Sequence, residues 1–201
     1  MARYLDYLAA RLSGEGQLND SIAMRNGRII FAGAVDLLGL VEQYRAPLEV
    51  SFCPLITRRI AQMQEYFAQA RATSRYGGDF VYAYATKANF AEEVVRTAVV
   101  SGAHYETSSA FDVRIAHRLW RSGVLPAGRF IFCNGSKEAG YIAAIRDLRM
   151  DGCASVVPIL DDPHEFELLA DCPLPLLLGV RERKDAADLA SGITYGYDRF
   201  G

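Results

Sequence analysis

The chain has 201 residues, 51% of them hydrophobic and 23% charged, an ordinary globular composition with enough apolar residues for a sizeable core. Its net charge of −2 provides no basic face for nucleic acid or an anionic membrane, and no apolar run reaches signal-peptide or membrane-spanning length. The four cysteines (Cys53, Cys133, Cys153, Cys172) form no CxxC and have no metal-like spacing to His104, His117 or His164, so no metal site is expected and a reduced, cytoplasmic setting is.

Residues 1–50 are predicted to form an N-terminal extension. Within it, residues 20–31 have the pattern of a hairpin turning at Asn26-Gly27. Helical spacing of Leu37, Leu38 and Val41 follows over 35–44, and residues 47–52 are predicted as a short strand. Residues 55–72 form an amphipathic helix with Ile56, Ile60, Met63 and Phe67 on one face.

From residue 80 the pattern becomes regular. Predicted strands at 80–88, 104–108, 129–134, 154–160 and 176–181 alternate with helices at 90–100, 110–122, 138–150 and one capped by Asp162 with Pro163 in its first turn. Asn89 has the spacing of an N-cap with Glu92, and Ser109 with Asp112. One strand every 25 residues or so, each followed by a helix, makes an α/β protein with a parallel sheet. The strands are near-continuous apolar runs, as expected where both faces are buried. A (β/α)8 barrel and an open doubly wound sheet both fit, and the absence of a GxGxxG at the first strand-to-helix turn weakens the dinucleotide-binding form of the latter. In a barrel the chemistry sits at the carboxyl ends of the strands. Lys87, Asn89, Glu106, Ser108, Ser109, Asn134, Asp161 and Arg181 fall there. A lysine in that position is either a solvated strand end or an amine held in a cleft, where it adds to carbonyl groups.

Tyr84-Ala85-Thr86-Lys87-Ala88-Asn89 resembles the Tyr-Ala-x-Lys-Ala-Asn signature of the fold-type III pyridoxal-phosphate enzymes, in particular the ornithine/diaminopimelate/arginine decarboxylase group. Further segments are similar in the same order. They are Asp36 to Leu48, Ser101-Gly102-Ala103-His104-Tyr105-Glu106-Thr107-Ser108-Ser109, Phe130 to Lys137, Leu178 to Arg181, and Arg199-Phe200-Gly201. Cys133-Asn134-Gly135-Ser136-Lys137 followed by Tyr141-Ile142 leans toward the biosynthetic arginine decarboxylases. The resemblance spans residues 35–201.

It implies a (β/α)8 barrel of the alanine racemase-like type, with about five units over residues 51–201, and a C-terminal β-domain not included here. It implies pyridoxal 5′-phosphate as cofactor, bound to Lys87 as a Schiff base, and decarboxylation of a basic or diamino acid such as arginine, diaminopimelate or ornithine. Glu106 corresponds to an acid beside that lysine, and Arg181 to a cation that pairs with it or orients the site. Ser108 and Asn134 correspond to residues around the cofactor. Asp112 corresponds to a second acidic position, although helix capping accounts for it fully, and Ser109 is equally a cap. An amino-acid substrate and a homodimer with the active site at its interface follow from the same resemblance. In the family, the glycine-rich phosphate loop, the histidine stacked on the ring and the acid that pairs with the pyridine nitrogen come from later units. The chain is therefore read as the N-terminal part of a longer enzyme, and residues 1–201 alone are expected neither to hold the cofactor tightly nor to decarboxylate. Two other readings stay open: an amino-acid racemase of the same barrel type, although Phe90-Ala91-Glu92-Glu93 replaces the Tyr-Gly-His usual there, and a non-catalytic relative that binds the cofactor.

Overall fold

The computed structural model describes residues 16–17 and 21–180, and the chain divides into two compact units, residues 1–50 and 51–201. The first unit holds a four-stranded antiparallel sheet in chain order: β1 (Gly16–Gln17), β2 (Ile22–Arg25), β3 (Arg28–Phe31) and β4 (Val35–Asp36). Asn26 and Gly27 join β2 to β3 with φ of 51° and 71°. That is the pair of positive angles a two-residue hairpin turn needs, and Asn-Gly tolerates them. Helix α1 (Leu37–Tyr44) starts two residues later than its apolar spacing suggests. Val35 and Asp36 pair with β3 instead, and the Asp36 carboxylate caps the helix by accepting from Gly39 N at 3.1 Å. That bond, with Arg28 Nε at 2.5 Å, holds the Asp36 carboxyl below its ordinary pKa. The strand expected over 47–52 is absent: among the described residues no segment pairs with it in a hydrogen-bonding ladder.

The second unit opens with α2 (Cys53–Ser74), which has Pro54 in its first turn and ends at Arg75 with φ of 56°. Then come β5 (Ala83–Ala85), α3 (Glu92–Val100), β6 (His104–Thr107), α4 (Ala110–Arg121), β7 (Ile131–Cys133), α5 (Ala139–Met150), β8 (Val156–Leu160), α6 (Pro163–Ala170) and β9 (Gly179–Val180). The five strands are parallel and lie in chain order. A doubly wound sheet reverses its strand order at a switch point, and this one does not. The arrangement is that of consecutive units of a barrel.

Sheet register explains where the core sits. Tyr84, Tyr105, Ile131 and Val156 stand side by side across four strands. Tyr105, Ile131 and Val156 are wholly buried against Val95, Val99, Val113, Tyr141, Ile145 and Leu148 from the helices. Each such Val, Ile or Leu contributes roughly 1.5–3 kcal/mol of burial. The opposite face carries His104, Glu106, Phe130, Phe132 and Ile159, all half-buried. Burial therefore alternates along β6 and β7, whereas the apolar runs had suggested two covered faces. Among the described residues the helices cover one.

The caps divide. Ser109 Oγ accepts from Asp112 N at 3.2 Å, while Asp112 Oδ2 accepts from Ser108 N and Ser109 Oγ at 3.0 Å each, a reciprocal cap in which the acid reaches back to the residue before the N-cap. Asp162 accepts from His164 N at 2.8 Å. Asn89, by contrast, does not cap α3. Ala85 O accepts from Ala88 N in a tight turn, and Asn89 Oδ1 accepts from Ala91 N at 2.9 Å, so the helix begins two residues later with Ala91 at its cap. Among the described residues no helix is long and apolar enough to cross a membrane.

Candidate functional site

Three of the side chains singled out from the sequence meet at the carboxyl edge of the parallel sheet. Lys87 leaves β5 in the tight turn just described, pinned from both sides. Thr86 Oγ1 donates to Glu106 O at 3.1 Å, and Tyr84 OH donates to Asn89 O at 2.8 Å. Lys87 Nζ stands 4.0 Å from Glu106 Oε1, with the lysine side chain 44% and the glutamate 22% exposed. Asn134, following β7, donates from Nδ2 to the same Oε1 at 3.2 Å. Its backbone N donates to Thr107 O at 2.9 Å, and its Oδ1 accepts from Gly135 N at 3.0 Å. One carboxylate oxygen thus faces an amine and accepts from an amide. Glu106, Asn134, Phe132 and Ile159 line a concavity of about 280 Å³.

Ser108 is placed differently. Its hydroxyl donates to Asp112 Oδ2 at 3.2 Å and so serves the capping box of α4. Arg181 and residues 199–201 lie outside the described residues. Cys133 is wholly buried, and burial pushes its thiol up to about 12, which leaves it an inert neutral group. Tyr105 and Tyr141 are likewise raised by burial. Among the described residues no three His, Cys, Asp or Glu side chains stand close enough to hold a metal ion.

Beneath Asn134 lies a polar layer that sequence patterns do not reveal. Tyr141 OH donates to Asn134 O at 3.1 Å and lies 2.7 Å from Thr107 Oγ1. Lys137 and Glu165 form an ion pair at 2.8 Å with side chains 0% and 4% exposed. Lys137 Nζ also donates to Gly135 O at 2.8 Å and to Ile159 O. Glu165 accepts Lys137 N on one oxygen at 2.8 Å and Asp161 N on the other at 3.1 Å. The two side chains are 28 residues apart, Lys137 in the loop after β7 and Glu165 in the first turn of α6, and nothing local to either announces the other.

An amine at a strand end, faced by a carboxylate and opening on a concavity, suits a ligand that carries an aldehyde. The residues at that end fit pyridoxal phosphate: Lys87 would supply the amine, Glu106 the opposing charge, and Phe132 with Ile159 an apolar wall. No glycine-rich phosphate clamp stands beside them among the described residues.

The five strands and their helices have the fold of a segment of the barrel in solved amino-acid decarboxylases, and in sequence the chain is similar to part of the biosynthetic arginine decarboxylases. It is 29% identical over 142 residues to the biosynthetic arginine decarboxylase of Prochlorococcus marinus, a match that covers 66% of this chain and 21% of that protein. The biosynthetic arginine decarboxylase SpeA of Campylobacter jejuni superposes with a TM-score of 0.67 over 81% of this chain and 29% of its own, at 20% identity. Diaminopimelate decarboxylase of M. jannaschii, solved with L-lysine, gives 0.64 over 77% of this chain and 33% of its own, at 23% identity. The chain thus spans about a fifth of the curated relative's length. No protein-family model matches it.

Proposed function

We propose that this chain supplies the lysine-bearing part of a pyridoxal-phosphate-dependent decarboxylase acting on a basic amino acid, arginine before diaminopimelate or ornithine. The observation that carries the reading is Lys87 Nζ placed 4.0 Å from Glu106 Oε1 at the carboxyl edge of a barrel sheet, within Tyr84-Ala85-Thr86-Lys87-Ala88-Asn89. Bound there, the cofactor would supply an electron sink for the pair released when the substrate's Cα–carboxylate bond breaks.

The chain's own residues do the rest. Lys87 is the amine to which the cofactor aldehyde is joined, and its turn, fixed through Thr86 and Tyr84, directs it along the sheet edge. Glu106 presents a negative charge that favours a protonated nitrogen at Lys87. Asn134 donates to Glu106 and so holds that carboxylate facing the amine rather than solvent. Phe132 and Ile159 keep water from one side of the concavity. The amino-acid substrate, the role of Arg181, the division into an extension and a partial barrel, and a homodimeric assembly belong to the same proposal. Arginine ranks first because the curated relative is a biosynthetic arginine decarboxylase.

The chain has three lysines, Lys87, Lys137 and Lys184, and Lys137 is buried. Incubation with pyridoxal phosphate, borohydride reduction and peptide mapping is expected to label Lys87 above Lys184. Label spread equally over both would remove the reading. Carbon dioxide release from arginine, diaminopimelate and ornithine by the full-length protein tests the reaction. Label at Lys87 with no release from any of the three would leave a cofactor-binding relative without turnover.

A further inference from the structure

We infer that the buried Lys137–Glu165 pair is a positioning device for Glu106, acting through Asn134. This rests on the reading of Lys87 and Glu106 as the cofactor-binding pair. The physical path is short and continuous. Asn134 is the residue whose amide aligns Glu106 Oε1, and it opens the loop between β7 and α5. That loop folds back on itself through Gly135, whose φ is 78°, and Gly135 O accepts from Lys137 Nζ. Lys137 Nζ has three acceptors, Gly135 O, Ile159 O and Glu165 Oε2. Two belong to the next unit of the sheet. Glu165 in turn accepts from Lys137 N and Asp161 N. The pair therefore fastens the strand-end loops of β7 and β8 to each other, immediately beside the concavity lined by Glu106, Asn134 and Ile159.

A buried ion pair is weak evidence for stability alone, because desolvation of both charges offsets their attraction. What it does supply here is orientation. Without Lys137 Nζ, Gly135 O loses this donor, and the turn that places Asn134 loses its tie to Ile159 O and Glu165. The Glu106 carboxylate then loses its fixed facing toward Lys87. Lys137 and Glu165 touch neither Lys87 nor the concavity's contents in this account, so they are positioning residues and not catalytic ones.

The test uses Lys137→Met/Glu165→Gln, which removes both charges together and keeps an amide oxygen for Lys137 N or Asp161 N. Its folding is checked by its unfolding midpoint, and Glu165→Gln alone serves as a milder second variant. Two readouts are taken on the chain. One is the Asn134 side-chain amide resonance, compared with that of Glu106→Gln. The other is the rate of borohydride trapping of pyridoxal phosphate at Lys87. The expected result is an Asn134 resonance displaced in the direction seen for Glu106→Gln, with trapping slowed about tenfold, the effect of one lost polar contact. The Glu106→Gln change added to the charge-free pair should then slow trapping little further. A lowered unfolding midpoint with the Asn134 resonance and the trapping rate both unchanged would overturn the inference and leave a merely structural pair. Should the wild-type chain show no preference for Lys87, the cofactor reading fails while the Asn134 resonance still decides the positioning role. A displaced resonance upholds it, and an unmoved one overturns it.

Discussion

Two lysine–glutamate pairs stand at the carboxyl edge of the same sheet, one either side of Asn134, and their surroundings divide the labour between them. Lys137 and Glu165 are in direct contact, out of water, with the Nζ donors and both carboxylate oxygens engaged by backbone or by each other. Lys87 and Glu106 are at the outer limit of an ion pair and partly in solvent, with an open concavity beside them. The first arrangement has no capacity left for a ligand. The second has an amine side chain 44% exposed to solvent, and a carboxylate oxygen that accepts from the Asn134 amide. The same two residue types are thus a fastening in one place and a candidate reactive site in the other. Burial and the number of satisfied partners make the difference.

The comparison breaks most visibly at the buried pair. Lys137→Met alone leaves Glu165 charged inside the protein without its cation. Removal of one partner of a buried pair costs about 3–5 kcal/mol. Urea unfolding should show a loss of that size, and a loss under about 1 kcal/mol would mean that the two loops are held by something other than this pair.

Much of this architecture is legible in the sequence, and the boundary of legibility is physical. The hairpin at Asn26-Gly27, the cap at Asp162 and the Ser109–Asp112 box are local contacts, made within four residues, so the sequence around them contains both partners. The alternation of strand and helix is local in the same sense. The strand expected over 47–52 needs a partner ladder, which no property of those residues guarantees. Asn89 has the spacing of a cap, yet the turn that closes at Ala88 competes for the same residues and shifts the start of α3. Of the site itself, Lys87, Glu106 and Asn134 were visible through the motifs that carry the family resemblance. Their meeting depends on register across three strands. Lys137 and Glu165 lie 28 residues apart and join only once the loop after β7 and the first turn of α6 are brought together by neighbouring strands. Ser108 had the right position for a site hydroxyl, and its partner four residues on, Asp112, decides its direction.

A smaller effect sharpens the support beneath Asn134. Thr107 is wholly buried, 2.7 Å from Tyr141 OH and 3.4 Å from Phe132 O. Thr107→Val keeps the shape and removes the hydroxyl, while Tyr141 OH retains its donation to Asn134 O. The expected cost is about 1–2 kcal/mol, the range for one buried hydrogen bond. Unchanged stability would show that the layer under Asn134 carries no load of its own.

Smaller still is a pH effect from the amino end of the same sheet face. His104 Nδ1 accepts from Phe130 N at 2.9 Å and its ring stacks on Phe130 at 5.3 Å. Burial, and then the charge of Arg129, lower its pKa below the ordinary 6.5. The folded state therefore favours neutral His104. Its contribution is fully present above about pH 6.5 and is lost as pH falls below that, while the unfolded chain takes up the proton first. Unfolding free energies of wild type and His104→Gln, compared between pH 8 and pH 5, should converge toward the acid end. Parallel curves would remove His104 from the account.

The smallest expected change in stability is at Lys87, and there the contrast between the pairs is sharpest. Ion pairs that share solvent contribute about 0–1 kcal/mol, since water screens the attraction and holding two long side chains in place costs entropy. Lys87→Met should accordingly leave the unfolding midpoint close to that of wild type. It should also abolish borohydride-trapped label at position 87, with no compensating label at Lys137, which water and reagent do not reach. Glu106→Gln separates amine from counter-charge: label at Lys87 should persist, formed more slowly, because the nitrogen remains and only the charge facing it is gone. A large stability loss on Lys87→Met would place that lysine with Lys137 as a structural cation. The two pairs would then differ in exposure alone, and the concavity beside Glu106 would need another explanation.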